Sequence, residues 1–118
     1  MTIKELKNHP ELLKHITADL DDLDDNMEVV FEVYAFSYDV NWQIVEASMC
    51  MFNSIDPADA IKAAKKTVLM DVYDMVPYKD ECDTPGATAH ITVEVESVVE
   101  IDDECVNLGT IYNRSIWR

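Results

Sequence analysis

Residues 19–26 read DLDDLDDN. Asp19, Asp21, Asp22, Asp24 and Asp25 set five carboxylates within seven positions, interrupted by Leu20 and Leu23. Clustered aspartates first suggest a divalent cation. An EF-hand loop takes ligands at positions 1, 3 and 5, glycine at 6 and an acid at 12. Counted from Asp19, position 5 is Leu23, position 6 is Asp24 and position 12 is Val30; counted from Asp21, position 3 is Leu23. Neither register fits. Cys50, Cys82 and Cys105 lack a CxxC spacing, and His9, His15 and His90 do not pair as ligands. No metal and no cofactor is therefore expected.

Catalytic signals are equally thin. The chain has no nucleophile elbow, phosphate loop or HExxH. Its two glycines, Gly86 and Gly109, build no nucleotide cradle. His90 beside Thr92 and Glu94 reads as a cross-strand surface contact before it reads as a general base. The expectation is a non-enzymatic protein, with an unrecognised hydrolase as the third-ranked reading.

Charge is the outlier. The 118 residues carry 24 Asp and Glu against 9 Lys and Arg, a net −15. Positions 15–61 contain no Lys or Arg and sum to −11, and positions 80–104 likewise sum to −9. Such a surface repels nucleic acid and anionic membrane, so direct binding to either is disfavoured. The opening MTIKELKNHPELL lacks the apolar core of a signal peptide. Three widely spaced cysteines suit a reducing compartment, so a cytoplasmic location is expected. The length predicts one domain, spanning 1–118.

The elements that must position these charges follow from periodicity. Thr2-Ile3-Lys4-Glu5 has the form of a capping box, and Pro10 suits the first turn of a further helical piece. Leu13, Ile16, Leu20 and Leu23 form one apolar stripe, which predicts a helix over 10–23. The aspartate tract would then sit at its C-terminal end, where the helix dipole disfavours anions. Residues 27–52 predict a β-hairpin. With Tyr38 opposite Trp42, the apolar Val29, Phe31, Val33 and Ala35 face Met51, Met49, Ala47 and Val45. That register makes Phe31 and Met49 buried neighbours, and leaves Tyr34, Phe36, Tyr38, Trp42 and Ile44 on the other face with Glu32 and Glu46.

Asp56 and Pro57 open a helix ending near Met75, with Ile61, Ala64, Val68, Val72 and Met75 as its buried stripe. Lys62, Lys65 and Lys66 form the one dense basic patch and could pair with the tract. Thr84-Pro85-Gly86-Ala87 suits a type II turn. Residues 89–101 then alternate as a half-buried strand, Asp102-Asp103 turns the chain, and 105–116 return, with Gly109 marking a bulge or a break. The predicted fold is α+β: a small antiparallel sheet of about four strands in α-β-β-α-β-β order, with two helices packed on it.

In charge and size the chain resembles the small acidic inhibitors of phages and plasmids, the anti-restriction and anti-CRISPR proteins that imitate DNA. The resemblance implies a basic nucleic-acid-binding protein as partner and, for a phage-encoded chain, the host cytoplasm as location. A second likeness covers residues 29–66, where a hairpin followed by SIDPADAIKAAKK resembles the hairpin and capped helix of HicB-type antitoxins. On the first reading Asp19, Asp21, Asp22, Asp24, Asp25, Glu94, Glu96 and Glu100 supply the negative charge. Glu94 and Glu96 lie about 6.6 Å apart along one strand face. The runner-up is an interaction or assembly subunit, including a homodimer, whose aromatic face of Tyr34, Tyr38 and Trp42 is the interface.

Overall fold

The computed structural model describes residues 1–38, 44–47, 50–68 and 90–117. The fold is mixed α+β. The elements run α1 (Ile3–Lys7), α2 (Pro10–Leu13), a 3-10 turn (Leu20–Asp22), β1 (Val30–Tyr38), β2 (Ile44–Ala47), β3 (Phe52–Ser54), α3 (Pro57–Val68), β4 (His90–Ile101) and β5 (Glu104–Trp117). All pairings are antiparallel, in the order β2-β1-β4-β5, and β3 also pairs with β1. β2 and β3 occupy the same edge of β1, so the sheet is four strands across.

One face of the sheet is dry. Val29, Phe31, Val33 and Ala35 join Ile91, Val93, Val95 and Val99, covered by Ile3, Leu6, Leu12 and Leu20 from the N-terminal segment and by Ala60 and Ala64 of α3. The alternation that predicted this face of β1 and β4 is borne out. So is the capping box, where the Glu5 N–H donates to Thr2 Oγ1 at 3.2 Å. Asp56 accepts the Ala58 N–H on its side chain at 2.9 Å, opening α3 as expected. The expected stripe of α3 is met by Ala64, with Ile61 half-buried. The Val68 side chain, Val72, Met75 and the 84–87 turn lie outside the described residues, as does the α3 terminus proposed near Met75.

Two expectations are corrected. No helix covers 10–23. The chain forms α2, leaves it after Leu13, and re-forms a 3-10 turn at Leu20. Leu12, not Leu13, is buried. The reason is competition for the backbone: the Thr17 and Ala18 N–H groups both donate to the Leu108 carbonyl of β5, at 2.9 and 3.1 Å, and leave the helical ladder. The hairpin register also differs. Tyr38 lies opposite Ile44, not Trp42; Val33 opposite Phe52, not Ala47; Phe31 opposite Ser54, not Met49. A shift between Ser37 and Tyr38, and the change of register from Phe36 opposite Ala47 to Val33 opposite Phe52, are offsets that strict alternation cannot reveal. Met51 stays 43% exposed, so the partner strand has no continuous dry side.

β4 and β5 form the longest ladder, turned by Asp102 and Asp103, both at positive φ (51° and 65°) as a two-residue type I′ hairpin requires. Of the bulge or break expected at Gly109, the strand shows a bulge. The ladder shifts between Ser97 and Val98, leaving Leu108 as the extra residue. The buried Ser97 hydroxyl donates to the Gly109 carbonyl at 2.7 Å. Gly109 has φ 155°, and a Cβ there would lie 2.2 Å from the His15 carbonyl oxygen. Gly109→Ala should therefore cost at least about 1–3 kcal/mol, seen as a lower urea midpoint. An unchanged midpoint would show that residues 15–18 do not rest on this bulge.

Candidate functional site

The five aspartates lie on the helical side of the protein, Asp21 and Asp22 in the 3-10 turn and the others in the chain flanking it, and all are exposed. Four have partners within the fold. Asp19 Oδ1 accepts the Asp21 N–H at 3.0 Å and so caps the turn, and Asp24 Oδ1 accepts the Asn26 N–H at 2.8 Å. Asp25 pairs with Lys7 Nζ at 2.8 Å, and Asp21 stands 3.9 Å from the same amine. The hydrogen bond to Lys7, then its charge, holds the Asp25 carboxyl below the usual carboxylate range. The reciprocal bond raises Lys7. This corrects the sequence expectation twice. The tract is not at the C-terminal end of a helix, and among the described residues its counter-ion is Lys7, not Lys62, Lys65 or Lys66. The nearest basic residue in sequence, Lys14, pairs with Glu11 instead.

The face of the sheet opposite the core carries a different arrangement. The β1-β4-β5 registers set three rows across it: Glu32, Glu96 and Thr110; Tyr34, Glu94 and Asn113; Phe36, Thr92 and Ser115. Glu32, Glu94 and Glu96 are half-buried, and Glu100 continues the same side of β4, exposed. The Tyr34 hydroxyl donates to Glu32, and Asn113 Nδ2 donates to Glu94 Oε1 at 3.2 Å. The Tyr34 and Phe36 rings stack with centroids 6.4 Å apart. Thr92 and Ser115 share a hydrogen bond at 2.9 Å.

Glu96 has no hydrogen-bonding cation among the described residues. Burial, and then the charges of Glu94 and Glu32, push its carboxyl above the ordinary value of 4.5. Burial is not the leading cause at Tyr34: its bond to Glu32 comes first, and the hydroxyl is raised well above 10. Like charges set directly opposite on neighbouring strands destabilise a sheet. Glu32 opposite Glu96 is such a pair.

The predicted residues thus divide. Glu94, Glu96 and Glu100 come together with Tyr34 on the outer sheet face, while the aspartates belong to the other layer. Tyr38 ends β1, its side chain undescribed, and Trp42 lies outside the described residues. Glu32 was missed as a member of the carboxylate group, because its neighbour Glu96 belongs to a strand far away in sequence. Among the described residues no three His, Cys, Asp or Glu side chains converge to hold a metal, and no helix is long and apolar enough to cross a membrane. Cys50 and Cys105 are exposed thiols. No protein-family model, curated protein or solved structure matches the chain.

The raised carboxyl gives a signed expectation. Because the folded value of Glu96 exceeds the unfolded one, its contribution to stability is present below pH 4.5 and is lost as pH rises through the folded value. Glu96→Gln should raise Tm at pH 7 by about 1–4 °C, and the gain should vanish below pH 4.5. A gain equal at both pH values would assign the effect to packing.

Proposed function

We propose that this chain is a non-enzymatic acidic protein ligand that occupies a basic, nucleic-acid-binding surface of another protein. The observation that carries the reading is the carboxylate set Glu32, Glu94 and Glu96, held on a rigid sheet face at the expense of mutual repulsion. The bonds from Tyr34 and Asn113 steady Glu32 and Glu94 but leave the Glu32–Glu96 opposition in place. A cationic partner recovers the repulsion on binding, and long-range attraction speeds its approach. The flanking rings of Tyr34 and Phe36 suit a partner guanidinium, which stacks on an aromatic face while pairing with a carboxylate. On this reading the aromatic interface and the acidic one are a single surface. The tract Asp19–Asp25 contributes at longer range, through Asp22 above all, since Asp19, Asp24 and Asp25 serve the local fold and Asp21 shares Lys7.

Capture from a lysate on immobilised protein, at low and high salt and with competing duplex DNA, tests the proposal. The expected partner is a basic protein released both by salt and by DNA. The triple variant Glu32→Gln, Glu94→Gln, Glu96→Gln should lose most of the capture, chiefly through a slower association rate, while melting no lower than the parent. A captured protein that keeps its DNA bound while holding this chain would overturn the proposal, as would undiminished capture by the triple variant.

A further inference from the structure

β5 is the last strand across the sheet, and among the described residues its outer edge is closed along only part of its length. Residues 15–18 cover it at Leu108, where the Thr17 and Ala18 N–H groups are bound. From Thr110 to Trp117, no strand or loop among the described residues pairs with that side. Exposed edges are normally blunted by charge, proline or bulges, because an open row of backbone donors and acceptors recruits another strand. This stretch reads TIYNRSIW: no proline, and Arg114 as its one charge. It belongs to residues 105–118, the longest run in the chain without Asp or Glu. The two bulges of β5 fall before it or at its start, between the partners of Val95 and Val98. In a chain of net charge −15, this edge, open among the described residues, lies within the longest run without carboxylates.

We propose that the 110–117 edge of β5 pairs with the same edge of a second copy, antiparallel about a two-fold axis near Asn113 and Arg114. The occupant is a second copy on grounds of charge. Self-pairing joins two carboxylate-free edges, and each copy's acidic regions stay on other elements. An antiparallel two-fold runs perpendicular to the sheet, so it keeps like faces on one side. The dimer is one continuous sheet with both cores on one face and both Glu32-Glu94-Glu96 sets on the other. Pairing does not depend on the proposed function, and its salt response has the opposite sign. The two copies repel as whole bodies, so screening strengthens their association, whereas it weakens binding to a basic partner.

Light scattering across a concentration series, at low and high salt, tests the pairing together with hydrogen exchange of the 110–117 amides. The expected result is twice the 13.5 kDa chain mass, favoured by salt, with protection of these amides that rises with protein concentration. The variant Asn113→Lys with Ser115→Lys places both new amines beside Glu94 and Thr92 on the acidic face, where the monomer fold tolerates them. Across the two-fold the new amines of the two copies meet one another on that same face, and the dimer should weaken about tenfold or more. A chain that remains monomeric at both salts overturns the proposal. So does a dimer unaffected by the double variant, or amide protection independent of concentration, which would assign the edge to another segment of the same chain.

Discussion

The Leu108 carbonyl is the joint on which the two layers hang. A strand in strict register would turn its backbone either to β4 or to the edge without displacement. The extra residue at the bulge instead presents this oxygen to the N-terminal segment, which gives it two N–H groups. Three features make the contact work together. Gly109 has no side chain to strike His15, the Ser97 hydroxyl satisfies the Gly109 carbonyl inside the core, and Asn107 Oδ1 takes the Gly109 N–H at 2.8 Å. With 15–18 fixed there, Leu12 and Leu20 are delivered to the sheet from either side of the crossing. The backbone groups a helix would have used are satisfied by tertiary contact, so the interruption of the helix leaves no orphaned donor at Thr17 or Ala18.

Much of this was legible from local chemistry. Thr2 and Glu5, Asp56 and Pro57, and the alternation of Ile91, Val93 and Val95 each act within a few residues, where periodicity and capping rules apply. The Asp102-Asp103 turn was legible for the same reason. The misreadings share a different cause. The stripe Leu13, Ile16, Leu20 and Leu23 satisfies helical spacing, yet its fate was decided by a carbonyl on β5, ninety-one positions from Thr17. The β1 partner was misregistered because an offset in register leaves composition unchanged while moving every later pair.

The candidate site was legible as a set of charges and illegible as a grouping. Counting acids located Glu94 and Glu96 but also the aspartate tract, and nothing in the sequence indicated that these occupy different layers. The β1–β4 pairing, between strands separated by β2, β3 and α3, is what joins Glu32 to Glu96 and sets Tyr34 beside Glu94. Lys7 shows the converse. It neutralises part of the tract through a chain reversal between α1 and the 3-10 turn, a contact no spacing rule encodes.

The backbone roles of several aspartates have a consequence for what the acidity is. Asp19 and Asp24 act through one side-chain oxygen each, and Asp102 and Asp103 hold left-handed backbone conformations that asparagine adopts as readily. At all four positions the uncharged amide would do the same structural work. The architecture asks there for a short side chain with an acceptor oxygen, and it is indifferent to the formal charge. Acidity at these positions is therefore a property that could drift toward neutrality without any change of shape, and its presence is information about the surroundings of the protein more than about its folding.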